Sequence, residues 1–150
     1  MTVTCSVSTV AASIAALTVS GVTIKGIDKI PDSGSLITPI LFPQPNDYMT
    51  GTVMSFETYG SNGAAKMNLE YDLNYVFLYC QVGGVNAFAP FSPLISKLAE
   101  VLVTIMSNDA ITGAVDMRLG SVDRIGVITD SAGIEYWGVM ITLHVMEYAQ

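Results

Sequence analysis

At 150 residues the chain has the length of one domain, and with 51% hydrophobic residues it can build a core without disulfides or metals. Charged residues make up only 13%, about half the usual share, so part of the surface is neutral and suited to meeting another chain. The net charge is −7, and the six bases, Lys25, Lys29, Lys66, Lys97, Arg118 and Arg124, form no cluster; this argues against a grip on nucleic-acid phosphates, while an acidic surface suits letting DNA slide past.

The first 24 residues carry no charged side chain, but they lack a basic start and are rich in Ser and Thr, so neither a signal peptide nor a membrane span is expected. A helix is expected over about Ser6 to Val19, with Val7, Val10, Ala11, Ile14 and Leu17 on one face and Gly21 as its stop. Val22 to Ile30 reads as a short strand ending at Pro31. The passage Pro31 to Asp47 holds four prolines yet also Leu36, Ile37, Ile40, Leu41 and Phe42. An apolar extended arm must pack on something, either its own domain or a neighbouring subunit.

Tyr48 to Tyr59, the turn Gly60-Ser61-Asn62-Gly63 and Lys66 to Cys80 form a hairpin. In its second strand Met67, Leu69, Tyr71, Leu73, Tyr75, Phe77 and Tyr79 face one way, while Lys66, Asn68, Glu70, Asp72 and Asn74 face the other. A Gly/Pro loop leads to Ser92-Pro93, read as an N-cap followed by the first helical residue. Leu94, Ile95, Leu98, Val101, Leu102, Ile105 and Met106 then mark an amphipathic helix ending near Ser107. A second hairpin closes the chain: Val115 to Thr129, bent at Gly120, the turn Asp130 to Gly133, and Ile134 to Tyr148. The last strand puts Trp137, Val139, Ile141, Leu143 and Val145 on a core face, and Met140, His144 and Met146 on the other. Neither face is charged in the middle, so a second molecule is expected to cover part of it. The whole is an α+β domain: a mainly antiparallel sheet of about five strands with two helices packed on one face.

Catalytic patterns are absent. His144 is the only histidine, and with Cys5 and Cys80 it offers no zinc spacing; a structural imidazole and two reduced, unpaired thiols are expected. Glu70 and Asp72 are the closest pair of acids, on an alternating strand face that reads as solvated. No P-loop, nucleophile elbow or EF-hand pattern occurs.

The order of these features, an N-terminal helix leading into Gly21-Val22-Thr23-Ile24, the proline-rich passage Ile30-Pro31 through Pro43-Gln44-Pro45, the alternating strand Met67 to Cys80, the helix Leu94 to Met106 and the final strand Tyr136-Trp137-Gly138-Val139-Met140-Ile141-Thr142-Leu143, resembles the tail terminator (tail completion) proteins of long-tailed bacteriophages, the family of phage lambda's minor tail protein U. The likeness is one of pattern and order over essentially all 150 residues. It implies a virion protein of the head–tail junction, assembled in the bacterial host cytoplasm, without catalytic residues or cofactor. Such proteins form a ring, usually a hexamer, that ends growth of the tail tube and docks to the head connector or stopper, while DNA passes through the lumen without specific binding. On that reading Glu70 and Asp72, with Asn68 and Asn74, are expected to face the lumen and repel phosphates, and Leu36, Ile37, Ile40, Leu41, Phe42, Met140, His144 and Met146 are expected at contacts with a neighbouring subunit or the tube. The alternatives are another neck protein (a head-completion protein or stopper), a small-molecule-binding domain, which a closed cavity would favour, and an enzyme, which a reactive Cys80 or His144 would favour.

Overall fold

A computed structural model describes residues 7–31, 36–57, 66–83, 88–107 and 115–149. The elements run α1 (Val7–Ala15), β1 (Thr23–Ile24), β2 (Ile40–Pro43), β3 (Met49–Glu57), β4 (Lys66–Gln81), α2 (Phe91–Met106), β5 (Val115–Thr129) and β6 (Glu135–Ala149). They form an α+β domain with a six-stranded sheet in the order β1-β2-β4-β6-β5, in which β3 also pairs with β4. All pairings are antiparallel except the two-residue β1–β2 pair.

Period-two alternation divides the sheet as the sequence implies. Leu69, Tyr71, Leu73, Tyr75 and Phe77 of β4 and Trp137, Val139, Ile141, Leu143 and Val145 of β6 are buried in one cluster. The same cluster takes Val10 and Ile14 from α1 and Leu94, Leu98, Val101 and Ile105 from α2, so both helices cover one face of the sheet. Gly138 marks a close approach on β6: a Cβ there would lie 2.6 Å from the Phe77 carbonyl oxygen.

Several boundaries differ from expectation. The helix α1 stops at Ala15, and Gly21, at φ +74°, instead serves the turn that brings Val19 back to Val22. Only Thr23–Ile24 of the expected strand Val22 to Ile30 is extended; a turn from Gly26 to Lys29 follows. Helix α2 starts at Phe91 behind Pro90 with no side-chain cap, which leaves Ser92 inside the first turn rather than capping it. The turn Gly60 to Gly63 lies outside the described residues. The bend expected at Gly120 is present as a register shift between Leu119 and Ser121, and a second lies between Asp123 and Gly126, where Arg124 has φ 52°.

The proline-rich passage is part of its own domain. Strands β2 and β3 run along the same edge of β4 as one interrupted strand: β2 pairs with residues 75–78 and β3 with residues 66–73. On the face away from the helices, Ile40 and Phe42 join Val76, Leu78 and Tyr136 in a second cluster, with Ile30, Leu36, Ile128, Ile134 and Met140 packed against it. The apolar half of that face thus packs against the chain's own arm.

Candidate functional site: the open face of the sheet

Beyond the arm, the same face turns polar. Asn68, Glu70, Asp72 and Asn74 project from β4, opposite Thr142, His144 and Met146 of β6, with Asp116 and Arg118 of β5 as the next row. Period two carries this face from apolar to polar along one strand, because β4 changes composition at Val76.

At the centre of the row, His144 lies between two carboxylates. Its Nδ1 is 2.8 Å from Asp72 Oδ1, and its Nε2 is 3.5 Å from Glu70 Oε2. The Glu70 side chain is 46% exposed and that of Asp72 36%. Both ring nitrogens are thus turned toward carboxylates. This bracket was not visible in the sequence, since it depends on the β4–β6 register that sets Asp72 opposite His144.

Asn74 has a different role from its neighbours. Its backbone accepts from Gln44 N (3.0 Å) and donates to Tyr48 O (2.8 Å), spanning the gap between β2 and β3. Its side-chain Nδ2 donates to Asp47 O (2.7 Å) and Thr50 Oγ1 (3.1 Å), and its Oδ1 accepts from Thr142 (2.8 Å). Asn74 shares the face of Glu70 and Asp72, and its polar atoms also hold the interrupted edge strand together. A buried polar pair lies on the helix side, where Tyr71 donates to Glu147 Oε1 at 2.8 Å and Glu147 is 3% exposed.

The expected interface residues separate into groups. Ile40, Leu41 and Phe42 are buried within the domain, which corrects their placement at a contact with a neighbour; the strand pairing to β4 encloses them. Leu36 and Met140 are partly buried against them. His144 is engaged by Asp72 and Glu70, and Met146 sits half-buried across from Glu70. Ile37, by contrast, is 80% exposed.

Cys80 and His144, the two residues an enzyme reading would use, lie apart on the sheet. Cys80 pairs in register with Trp137, seven residues along β6 from His144, or about 23 Å at strand rise. Its thiol is free, and burial pushes its pKa above the ordinary value, away from the reactive thiolate. Cys5 lies outside the described residues. No group of three His, Cys, Asp or Glu among the described residues is placed to hold a metal ion. A pocket of about 210 Å³ lies between the arm and the β5–β6 hairpin, lined by residues including Leu36, Phe42, Val76, Ile128 and Met140. A second, more open groove of about 460 Å³ lies between α2 and residues Thr18 to Ser20. No helix among the described residues is long and apolar enough to cross a membrane. No family model and no curated protein matches the chain.

Proposed function

We propose that this protein is a structural subunit of a phage neck: a tail terminator that closes the head-proximal end of the tail tube as a ring, its rivals in the same neck being set apart by the test below. The observation that carries the reading is the two-sided sheet. Three adjacent strands of 15 or 16 residues, about 50 Å long at strand rise, make a wall with both helices behind it and the half-exposed Glu70 and Asp72 in front. Such a wall, repeated around a ring, lines a conduit with acids that repel DNA phosphates. The sparse surface charge supports contact with further subunits, and the order of elements supports the likeness to tail terminators.

The test is electron microscopy of purified tail tubes with and without the protein. Tubes of uniform length carrying a ring at one end are expected only when it is present. Uncapped tubes of unregulated length in both samples overturn the reading, and a ring bound to heads but not to tubes assigns the chain to a head-completion protein or stopper instead.

A further inference from the structure

Where the arm lies over the sheet, the two enclose a hollow whose origin is local. Val76 and Leu78 of β4, Met140 of β6 and Ile128 of β5 share this face through the period of two and the strand register. Gly138 pairs with Leu78 on one side and with Gly126 on the other, so two adjacent positions of this row have no side chain. Leu78 and Ile128 bend into the gap, their tips 2.8 and 3.1 Å from where a Gly138 Cβ would stand, and the floor is lowered. Phe42 of β2 and Leu36 before it wall the other side. The result is the pocket of about 210 Å³, which Gln44 and Asn46 also line.

We infer that this pocket binds a small neutral aromatic molecule, one ring or a fused pair, that carries an N–H or O–H group. The inference goes beyond the neck reading and needs neither a ring of subunits nor a tube. Size sets the scale. A cavity of roughly 150 Å³ lined by Leu, Ile and Phe takes up benzene, so 210 Å³ admits a substituted ring or a fused pair. An empty apolar hollow leaves its walls without dispersion partners, and a ring restores them. The lining prefers aromatic over aliphatic matter, because the Phe42 ring and the Met140 thioether both gain from a π-system beyond the area they cover. Charge narrows the class further. Among the described residues no Lys, Arg or His lines the pocket, so an anion would lose its hydration and meet no cation. The one acid in the lining, Asp130, is engaged in the hairpin turn, its Oδ1 accepting from Ala132 N at 3.0 Å and Ile134 N at 2.8 Å. The Gln44 and Asn46 amides, each a donor and an acceptor, provide the polar partner for the single N–H or O–H. Both walls are fixed by strand pairing, β2 to β4 and β5 to β6, so little ordering opposes binding.

The experiment titrates the full, methyl-labelled chain with indole and follows proton–carbon methyl spectra. Saturable shifts are expected at Val76, Leu78, Ile128 and Met140, with a Kd of about 1 mM or tighter. Met140→Trp, with circular dichroism showing an intact fold, is expected to fill the pocket and weaken indole by about tenfold or more. Phe42→Leu enlarges it and is expected to move the preference from phenol toward naphthol. In the parent protein, cyclohexanol is expected to bind about threefold or more weakly than phenol, and benzoate about tenfold or more weakly. Shifts confined to other methyls, or no saturation by about 10 mM, overturn the inference. Cyclohexanol equal to phenol overturns the ligand class. N-acetyltryptophanamide binding about tenfold tighter than indole overturns the free molecule and gives the pocket to an aromatic side chain of a protein partner. A failed titration leaves the tube-capping test untouched, and a failed tube test leaves the pocket.

Discussion

His144 and Asp72 face each other across the β4–β6 pair, Nδ1 to Oδ1 at 2.8 Å, and Glu70 closes the other side of the ring at 3.5 Å from Nε2. The contacts are partly open to water, which limits their worth to about 1 kcal/mol or less per pair. A double-mutant cycle with His144→Ala and Asp72→Asn, read by urea unfolding, is expected to show a coupling in that range. The geometry also changes how the proposed lumen charge should be tested. Asp72→Lys would set a cation in place of the carboxylate 2.8 Å from His144, whose other neighbour in register is Arg118, confounding charge with stability, whereas Glu70→Lys reverses charge at the more exposed and more distant site. Glu70→Lys is expected to fold normally and to make DNA binding measurable and salt-dependent. Equal, negligible DNA binding by the variant and the parent assembled rings would count against a lumen position.

The features legible in the sequence were those with local signals. The alternation from Met67 to Tyr79 identified β4 and its core face, and the spacing from Leu94 to Met106 identified α2, because each period repeats enough times to stand alone. Strand β2 was hidden. Ile40–Pro43 is four residues long, lies between prolines, and is extended only because it pairs with residues 75–78, far along the chain. The same pairing took Ile40, Leu41 and Phe42 from the expected interface into the core. Glu147 was within reach: the core face Trp137 to Val145 continues to it by one more alternation, and the buried carboxylate is met there by Tyr71. The His144 bracket could not be read, because a one-residue change in register would send its partners to the other face.

Gly138 is the tightest position in the sheet. An alanine Cβ would fall 2.6 Å from the Phe77 oxygen and 2.8 Å from Leu78 Cδ2, with Ile128 Cδ1 at 3.1 Å. Backbone cannot yield as a flexible side-chain tip can, so Gly138→Ala is expected to cost about 1–3 kcal/mol, the range of overpacked cores. Gly21→Ala meets open space and pays only for its positive φ, about 1 kcal/mol. Thermal unfolding of the two variants side by side checks the order.

Tyr48 and Tyr75 touch through their hydroxyls at 2.8 Å, with rings edge-to-face. Burial pushes both phenols above their ordinary pKa, Tyr75 the further, its ionisation opposed also by Tyr48. A raised folded-state pKa favours the protonated form in the native protein. The associated stability is present in full below the unfolded value near 10 and is lost as pH rises above it. Unfolding free energy is therefore expected to decline above about pH 10, and less steeply in Tyr75→Phe. Identical alkaline slopes for the variant and the parent would show that Tyr75 does not carry the effect.

The Cys80 thiol, raised by burial, is expected to react with a disulfide reagent at pH 7 more slowly than a free cysteine and to accelerate on unfolding in urea. Stopped-flow rates in native and denaturing buffer decide it. A native rate above that of the unfolded chain would revive the thiol-enzyme alternative.

Asn74 joins the two halves of an edge strand, and its amide makes the joint specific. The chain leaves β4 at Gln44 and returns at Tyr48, and both backbone bonds end on Asn74. The Nδ2 group donates to Asp47 O and Thr50 Oγ1 within the excursion, while Oδ1 ties the same residue to Thr142 on β6. Asn74→Ala removes all three side-chain bonds but leaves the ladder, and partial exposure lets water replace some of them, so a loss of about 1–2 kcal/mol is expected. Asn74→Asp keeps the acceptor for Thr142 and turns the donor into a carboxylate facing the Asp47 carbonyl. It is expected to be at least as destabilising as alanine at pH 7 and to recover in part below about pH 4, where an aspartate side chain regains a proton to donate. Urea unfolding of both variants at the two pH values, with hydrogen exchange at residues 44–50, tests this. Alanine and aspartate variants alike in stability, with exchange at the excursion unchanged, would show that the side-chain bonds of Asn74 do not hold the joint.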